Sequence, residues 1–208
     1  MMDSNTQIEA VVREVKTHEF KGKPAKIIVL SQHFPTTIDD LWDAVTDIER
    51  LPRWFAPVKG DLKRNGHFEV ENNASGTLTS CEAPLSFNAT WEFGEAMSWI
   101  EVRLSEVDSG HTRLELAHIA YPDEHWDQFG PGAGGVGWDL SFLGLATHLA
   151  TGENIHQTQL DWGESPAAVD FIIQSSKAWI EADVAGGEVE AAAQFRGENT
   201  INFYTGAE

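Results

Sequence analysis

The sequence holds a single cysteine, Cys81, among its 208 residues. That excludes an internal disulfide framework and fits a reducing compartment. Basic side chains are scarce as well: 14 Lys and Arg stand against 33 Asp and Glu, a formal charge of −19. So acidic a surface repels phosphate backbones and anionic headgroups, which argues against nucleic acid and against a membrane as partners. No run approaches the roughly 18 apolar residues of a membrane-spanning helix. The opening residues Met1 to Ala10 are polar, without the apolar stretch of a secretory leader. A cytoplasmic location is the expectation. Aromatic residues are not scarce. Eight Trp and eleven Phe, in a chain that is 41% hydrophobic, rule out a disordered acidic tail. The length suits one domain with a substantial core.

The patterning divides the chain into an N-terminal extension (1–24), a main domain (25–152) and a C-terminal helical appendage (153–208). Ile8–Val15 reads as strand or helix. The turn signal Lys21-Gly22-Lys23-Pro24 favours a hairpin into Ala25–Phe34, whose centre is apolar on both parities, as in a strand buried on both faces. Thr37 offers a helix cap, with Ile38, Leu41, Trp42, Val45 and Ile48 forming one apolar stripe. A second short helix is expected over Ile48–Phe55.

From Val58 the period becomes two. Phe68 and Val70, then Phe87, Ala89, Trp91 and Phe93, then Ile100, Val102 and Leu104, then Leu114 and Leu116 alternate with polar residues between turn signals. This predicts an antiparallel meander with one apolar face. A loop over Pro122–Gly135 follows. Trp138, Phe142, Leu145 and Leu149 then mark a long helix with one apolar stripe to cover that face, stopping at Gly152. Ser165-Pro166 starts another helix, ended by Gly186-Gly187, and a last helix over Glu188–Tyr204 is expected to be interrupted at Gly197. The apolar face of the Ser165–Val184 segment needs cover, from the main body or from a second subunit as a homodimer. The fold class is α+β: a curved antiparallel sheet wrapped around a long helix, with extra C-terminal helices.

Few residues suggest chemistry. Gly132-Ala133-Gly134-Gly135-Val136-Gly137 has the GxGxxG spelling, but it follows a polar loop instead of a strand, so close helix packing is the better explanation. The histidines, at 18, 33, 67, 111, 118, 125, 148 and 156, include no pair at metal-ligand spacing, so no metal and no cofactor is called for. Cys81 has no basic neighbour in sequence to lower its pKa. His118 shares the parity of Leu114 and Leu116 and therefore points to the covered face. It is either a core histidine bonded to a neighbour, a ligand contact, or a general acid–base group.

Four segments carry a resemblance. They are Ile38-Asp39-Asp40-Leu41-Trp42-Asp43-Ala44-Val45-Thr46-Asp47 with Arg53-Trp54-Phe55, then Ala89-Thr90-Trp91-Glu92, then Thr112-Arg113-Leu114-Glu115-Leu116-Ala117-His118, then Gly137-Trp138-Asp139-Leu140. Together they resemble the START-like (SRPBCC) helix-grip superfamily, in the branch of the activator of heat-shock-protein-90 ATPase homologues, over Ala25–Leu149. The resemblance implies an apolar cavity between sheet and long helix, and it puts Trp54, Phe55, Trp91, His118, Trp138 and Phe142 forward as its lining. It leads to the expectation of a binding module for a small apolar or aromatic molecule, with no catalytic residue assigned. The alternatives are a cyclase- or hydrolase-like enzyme using a pocket His or acid, and a protein-interaction or chaperone-associated module.

Overall fold

The computed structural model describes residues 4–155, 161–163 and 165–206; His156 and residues 1–3 of the N-terminal extension lie outside the described residues. The strands are β1 (Val12–Phe20), β2 (Lys23–Phe34), β3 (Val58–Gly60), β4 (His67–Val70), β5 (Ser75–Glu82), β6 (Ser86–Phe93), β7 (Ala96–Asp108) and β8 (His111–Ala120). They form one antiparallel sheet in the order β1-β2-β8-β7-β6-β5-β4-β3. The β1–β2 hairpin turns on Lys21 and Gly22, with φ of 49° and 80°. Two left-handed residues give a turn whose twist matches that of the strands, which is why Gly22 suits it. β2 sits beside β8 with Leu30 opposite Leu116 and Ile28 opposite His118. The chain crosses from β2 to the far edge of the sheet and meanders back.

That crossing is made by helix α2 (Ile38–Thr46). Thr37 caps it by accepting from the Asp40 N–H, and Asp39 and Asp40 lie in its positive first turn. Leu41 and Ala44 are buried. The helix closes two residues before the end of its apolar stripe, and Ile48 falls outside it and is exposed. Beyond it the expected second helix is only a single 3₁₀ turn, Leu51–Arg53, with Pro52 at its start, where the missing N–H costs nothing.

The loop after β8 contains a short helix, α3 (Glu124–Phe129), capped by Asp123, whose Oδ1 accepts from the Trp126 N–H. Helix α4 (Gly132–Thr151) follows and ends at Gly152 in the left-handed conformation. It starts three residues earlier than the stripe predicts and is covered on more than one side. Phe142 and Leu145 face the sheet, while Val136, Asp139 and Leu143 are buried too. Their cover is α5 (Pro166–Ala185), capped by the Ser165 hydroxyl, with α6 (Glu190–Thr205) packed on α5 in turn. The glycine run lies in the first turns of α4 and is a packing device: a Cβ on Gly135 would overlap the Trp179 ring, and one on Gly132 would crowd Thr200. Gly197 does not interrupt α6, because its missing side chain admits Ile180. Most of the apolar face of α5 is thus covered within the chain, by α4, by β1 and by an N-terminal helix, α1 (Ser4–Ala10), while Val169 and Val184 near its ends are exposed. The ambiguous Ile8–Val15 stretch is helix to Ala10 and strand from Val12.

One polar knot joins these layers. The Asp139 carboxylate on α4, 0% exposed, accepts from Arg13 Nε and Nη2 of β1 at 3.0 and 2.9 Å. It also accepts from the Ser175 hydroxyl and the Trp179 indole N–H of α5, at 2.5 and 3.0 Å. Arg13 Nη1 donates to the carbonyls of Ile8 and Val11. Burial pushes the Asp139 carboxyl up, and the Arg13 charge opposes the push. Removing one partner of such a pair strands the other in a medium that cannot solvate it. Arg13→Ala is therefore expected to cost about 3–5 kcal/mol in urea unfolding, and a loss under about 1 kcal/mol would show that the outer helices hold without the pair.

Candidate functional site

Between the concave face of the sheet and α4 lies a cavity of about 360 Å³. Its far wall comes from inward-facing strand residues such as Phe68, Ile100, Val102 and Leu116, and its near wall from Trp138, Ser141, Phe142 and Leu145 of α4. Trp42, Val45 and Thr46 of α2, with Leu51, Trp54 and Phe55 of the turn, close one side. Cys81, an exposed thiol, and Ala83 belong to the wall where β5 ends. Among the described residues the wall carries no carboxylate, imidazole, ammonium or guanidinium. It is an apolar chamber.

The structure places Trp54, Phe55, Trp91, Trp138 and Phe142 in this wall. Trp54 is fixed by its indole N–H, which donates to the Ala44 carbonyl at 2.9 Å. Trp91 and Trp138 meet with ring centroids 5.2 Å apart, and Phe68 lies 6.2 Å from Trp91. These rings reach the site from a helix and two strands, so the cluster is a product of tertiary packing. Trp42, Phe87 and Ser141 were not singled out from the sequence, although the helical stripe and strand parity pointed to the first two.

His118 is not in the wall. Its side chain is covered by Trp138, and both ring nitrogens are occupied by protein. The Trp138 indole N–H, which can only donate, reaches His118 Nδ1 at 3.0 Å. Nδ1 is therefore the acceptor, and the proton sits on Nε2, which donates to Ser98 Oγ at 2.7 Å. The Ser98 hydroxyl in turn donates to the Trp91 carbonyl at 2.9 Å. This relay ties the strand that carries Trp91 to the ring of Trp138. Burial holds the imidazole neutral and pushes its pKa down to about 4. A contact between His118 and a ligand, one of the sequence-based expectations, has no room here because the indole of Trp138 takes that nitrogen.

The α2 side of the wall is held differently. Arg50 donates to Asp40 and Asp43 of α2 at 2.8 and 2.9 Å, and its Nε donates to His148 Nε2 of α4 at 3.2 Å. Nδ1 of His148 lies 2.6 Å from the Glu153 carbonyl, so this imidazole is also neutral, with its proton on Nδ1. The Arg50 hydrogen bond holds the Asp40 carboxyl below its usual range, and burial lowers His148.

Residues 35–150 match the family model described as Activator of Hsp90 ATPase homolog 1-like protein, over more than half of the chain. The chain belongs to this family. Its architecture is the START-like helix-grip fold. No protein of curated function matches the chain. Among solved structures it is similar to CalU16 from Micromonospora echinospora. The crystal structure of that protein is 28% identical over 83% of this chain and 98% of its own, with a TM-score of 0.68. Its solution structure gives 28% identity, 86% and 97% coverage and a TM-score of 0.71. A conserved protein of unknown function from Enterococcus faecalis, EF2215, shares the fold at 12% identity, 90% and 98% coverage and a TM-score of 0.62. Every residue of the cavity wall falls inside the Hsp90-activator-like segment, whereas α1, β1, α5 and α6 lie outside it.

The His118 relay sets a pH dependence. The folded pKa of about 4 lies below the ordinary 6.5, so between those values the unfolded chain binds more protons. Stability contributed by neutral His118 is complete above pH 6.5 and is lost as pH falls toward 4. Between pH 7 and pH 5 this amounts to about 2 kcal/mol. Urea melts of wild type and His118→Gln at the two pH values should show a loss about 2 kcal/mol larger in the wild type, since His148, also lowered by burial, titrates in both.

Proposed function

We propose that the protein is a binding module that encloses a small, largely apolar or aromatic molecule in the cavity between sheet and α4. The observation that carries the reading is an interior space of about 360 Å³ walled by aromatic and aliphatic side chains. Apolar pockets of this size gain affinity from the ligand surface they remove from water, about 0.8 kcal/mol per methylene. After the entropy of association that suffices for micromolar binding. The wall supports binding over catalysis. A cyclase- or hydrolase-like reaction needs a group to move a proton, and the described wall offers only a thiol and hydroxyls. Both wall hydroxyls already donate to helix carbonyls, Thr46 to Trp42 and Ser141 to Gly137.

The test uses 6-propionyl-2-dimethylaminonaphthalene, an uncharged two-ring dye whose emission shifts to the blue in apolar surroundings. Titration should give a saturable blue shift, and bound dye should slow alkylation of Cys81, the single cysteine of the chain. A linear, unsaturable response with unchanged alkylation would end the reading. Filling the space supplies the control. Val102, buried on β7, lines the cavity, and Val102→Phe places a ring in it. The variant should keep its stability within about 1 kcal/mol, since an existing void receives the added atoms, and should bind the dye at least about tenfold more weakly.

A further inference from the structure

We propose that the chamber opens at the end of β5 and takes a molecule with an apolar body and one polar end, which stays at that opening. The proposal rests on the binding reading above and specifies how the occupant is built and oriented. The opening follows from the register of the sheet. Leu30, Leu116, Val102, Phe87 and Cys81 stand opposite one another in a row that crosses β2, β8, β7, β6 and β5. Burial falls off along it: Leu30, Leu116 and Val102 are buried, Phe87 is half-buried and Cys81 is exposed. Trp42 of α2 covers Phe87, with ring centroids 6.1 Å apart, and the row emerges into solvent beyond that pair. The neighbouring row behaves differently. Ile100, Ala89 and Leu78 are buried all the way to β5. Among the described residues of the wall, the exposed ones are Cys81 and Ala83, both where β5 ends.

The build of the occupant follows from what the rest of the wall lacks. With no ammonium, guanidinium or imidazole among its described residues, a charged or strongly polar substituent carried deep into the chamber would lose its hydration without gaining a partner. At the end of β5 the same substituent keeps its water. A polar group at one tip of the ligand can therefore be accommodated, and the same group at the flank of the ligand cannot. Size follows from volume: an apolar cavity of about 150 Å³ takes one benzene, so 360 Å³ suits a body of about two rings.

Four ligands of one skeleton test this by equilibrium dialysis at pH 7.5: biphenyl-4-carboxylate, biphenyl-2-carboxylate, and 4- and 2-methylbiphenyl. The first carries its charge at one tip and the second at its flank, while the methyl compounds have the same shapes without charge. We expect the 4-carboxylate to bind at least about tenfold more tightly than the 2-carboxylate, beyond any difference between the methylbiphenyls. Cys81, the single cysteine of the chain, then locates the charged end. Aminoethyl and sulfonatoethyl methanethiosulfonate attach groups of similar length and opposite charge to it, so any steric effect is common to both. The 4-carboxylate should bind the ammonium adduct about threefold or more tightly than the sulfonate adduct, whereas 4-methylbiphenyl should not tell the adducts apart. Equal binding of the two carboxylates, binding of neither, or equal binding of the 4-carboxylate to both adducts would overturn the proposal. Continued binding of the naphthalene dye or of 4-methylbiphenyl would then spare the binding reading. Failure of the dye and of all four biphenyls would remove both.

Discussion

The fold depends on the burial of one carboxylate. Asp139 stands midway along α4 on the side turned away from the cavity, and it has no exposure to water. A charge in that position is tolerable only with donors on every side, and they come from β1 and from α5. The central helix of the grip is therefore incomplete without the elements that flank it in sequence. Docking α5 on α4 also needs the bare backbone of Gly135, which lets the Trp179 ring approach closely enough to reach the carboxylate. A poor helix former at that position is thus explained by the packing it permits.

Much of this was legible in the residues. Strand parity gave the inward face of the sheet, capping residues gave the starts of α2 and α5, and glycines gave the ends of α4 and α5. What the sequence concealed was tertiary. The short α3 is capped by an Asp that looked like part of an acidic loop. Asp139 looked like one acid among 33, because a carboxylate reveals itself as buried only when its partners, at residues 13, 175 and 179, are seen beside it. The site was half legible for the same reason. Aromatic residues at interior positions of the grip were easy to nominate. That His118 would be screened from the space by Trp138 depends on a ring orientation no spacing encodes.

Polarity in the molecule is sorted by layer. Within the wall the polar side chains are Thr46, Ser141, Cys81 and the tryptophan indoles, whereas His118, Ser98, Arg50 and His148 form hydrogen-bonded sets behind or beside it and none of them belongs to it. Such sets fix the aromatic rings and the α2 segment without bringing charge into the apolar space, where it would be poorly solvated. The result is a lining without carboxylate, imidazole, ammonium or guanidinium groups among the described residues.

The two sides of α4 interleave along the chain. Trp138, Ser141, Phe142 and Leu145 meet the cavity, while Gly135, Val136, Asp139 and Leu143 meet other parts of the molecule or the interior. Helical periodicity keeps the two sets apart although they alternate in sequence. Substitutions in the first set alter the shape of the chamber and leave the Asp139 anchorage intact. The helix can therefore carry a drifting specificity on one side and a fixed assembly code on the other, which makes the chamber an evolvable part of an otherwise constrained scaffold.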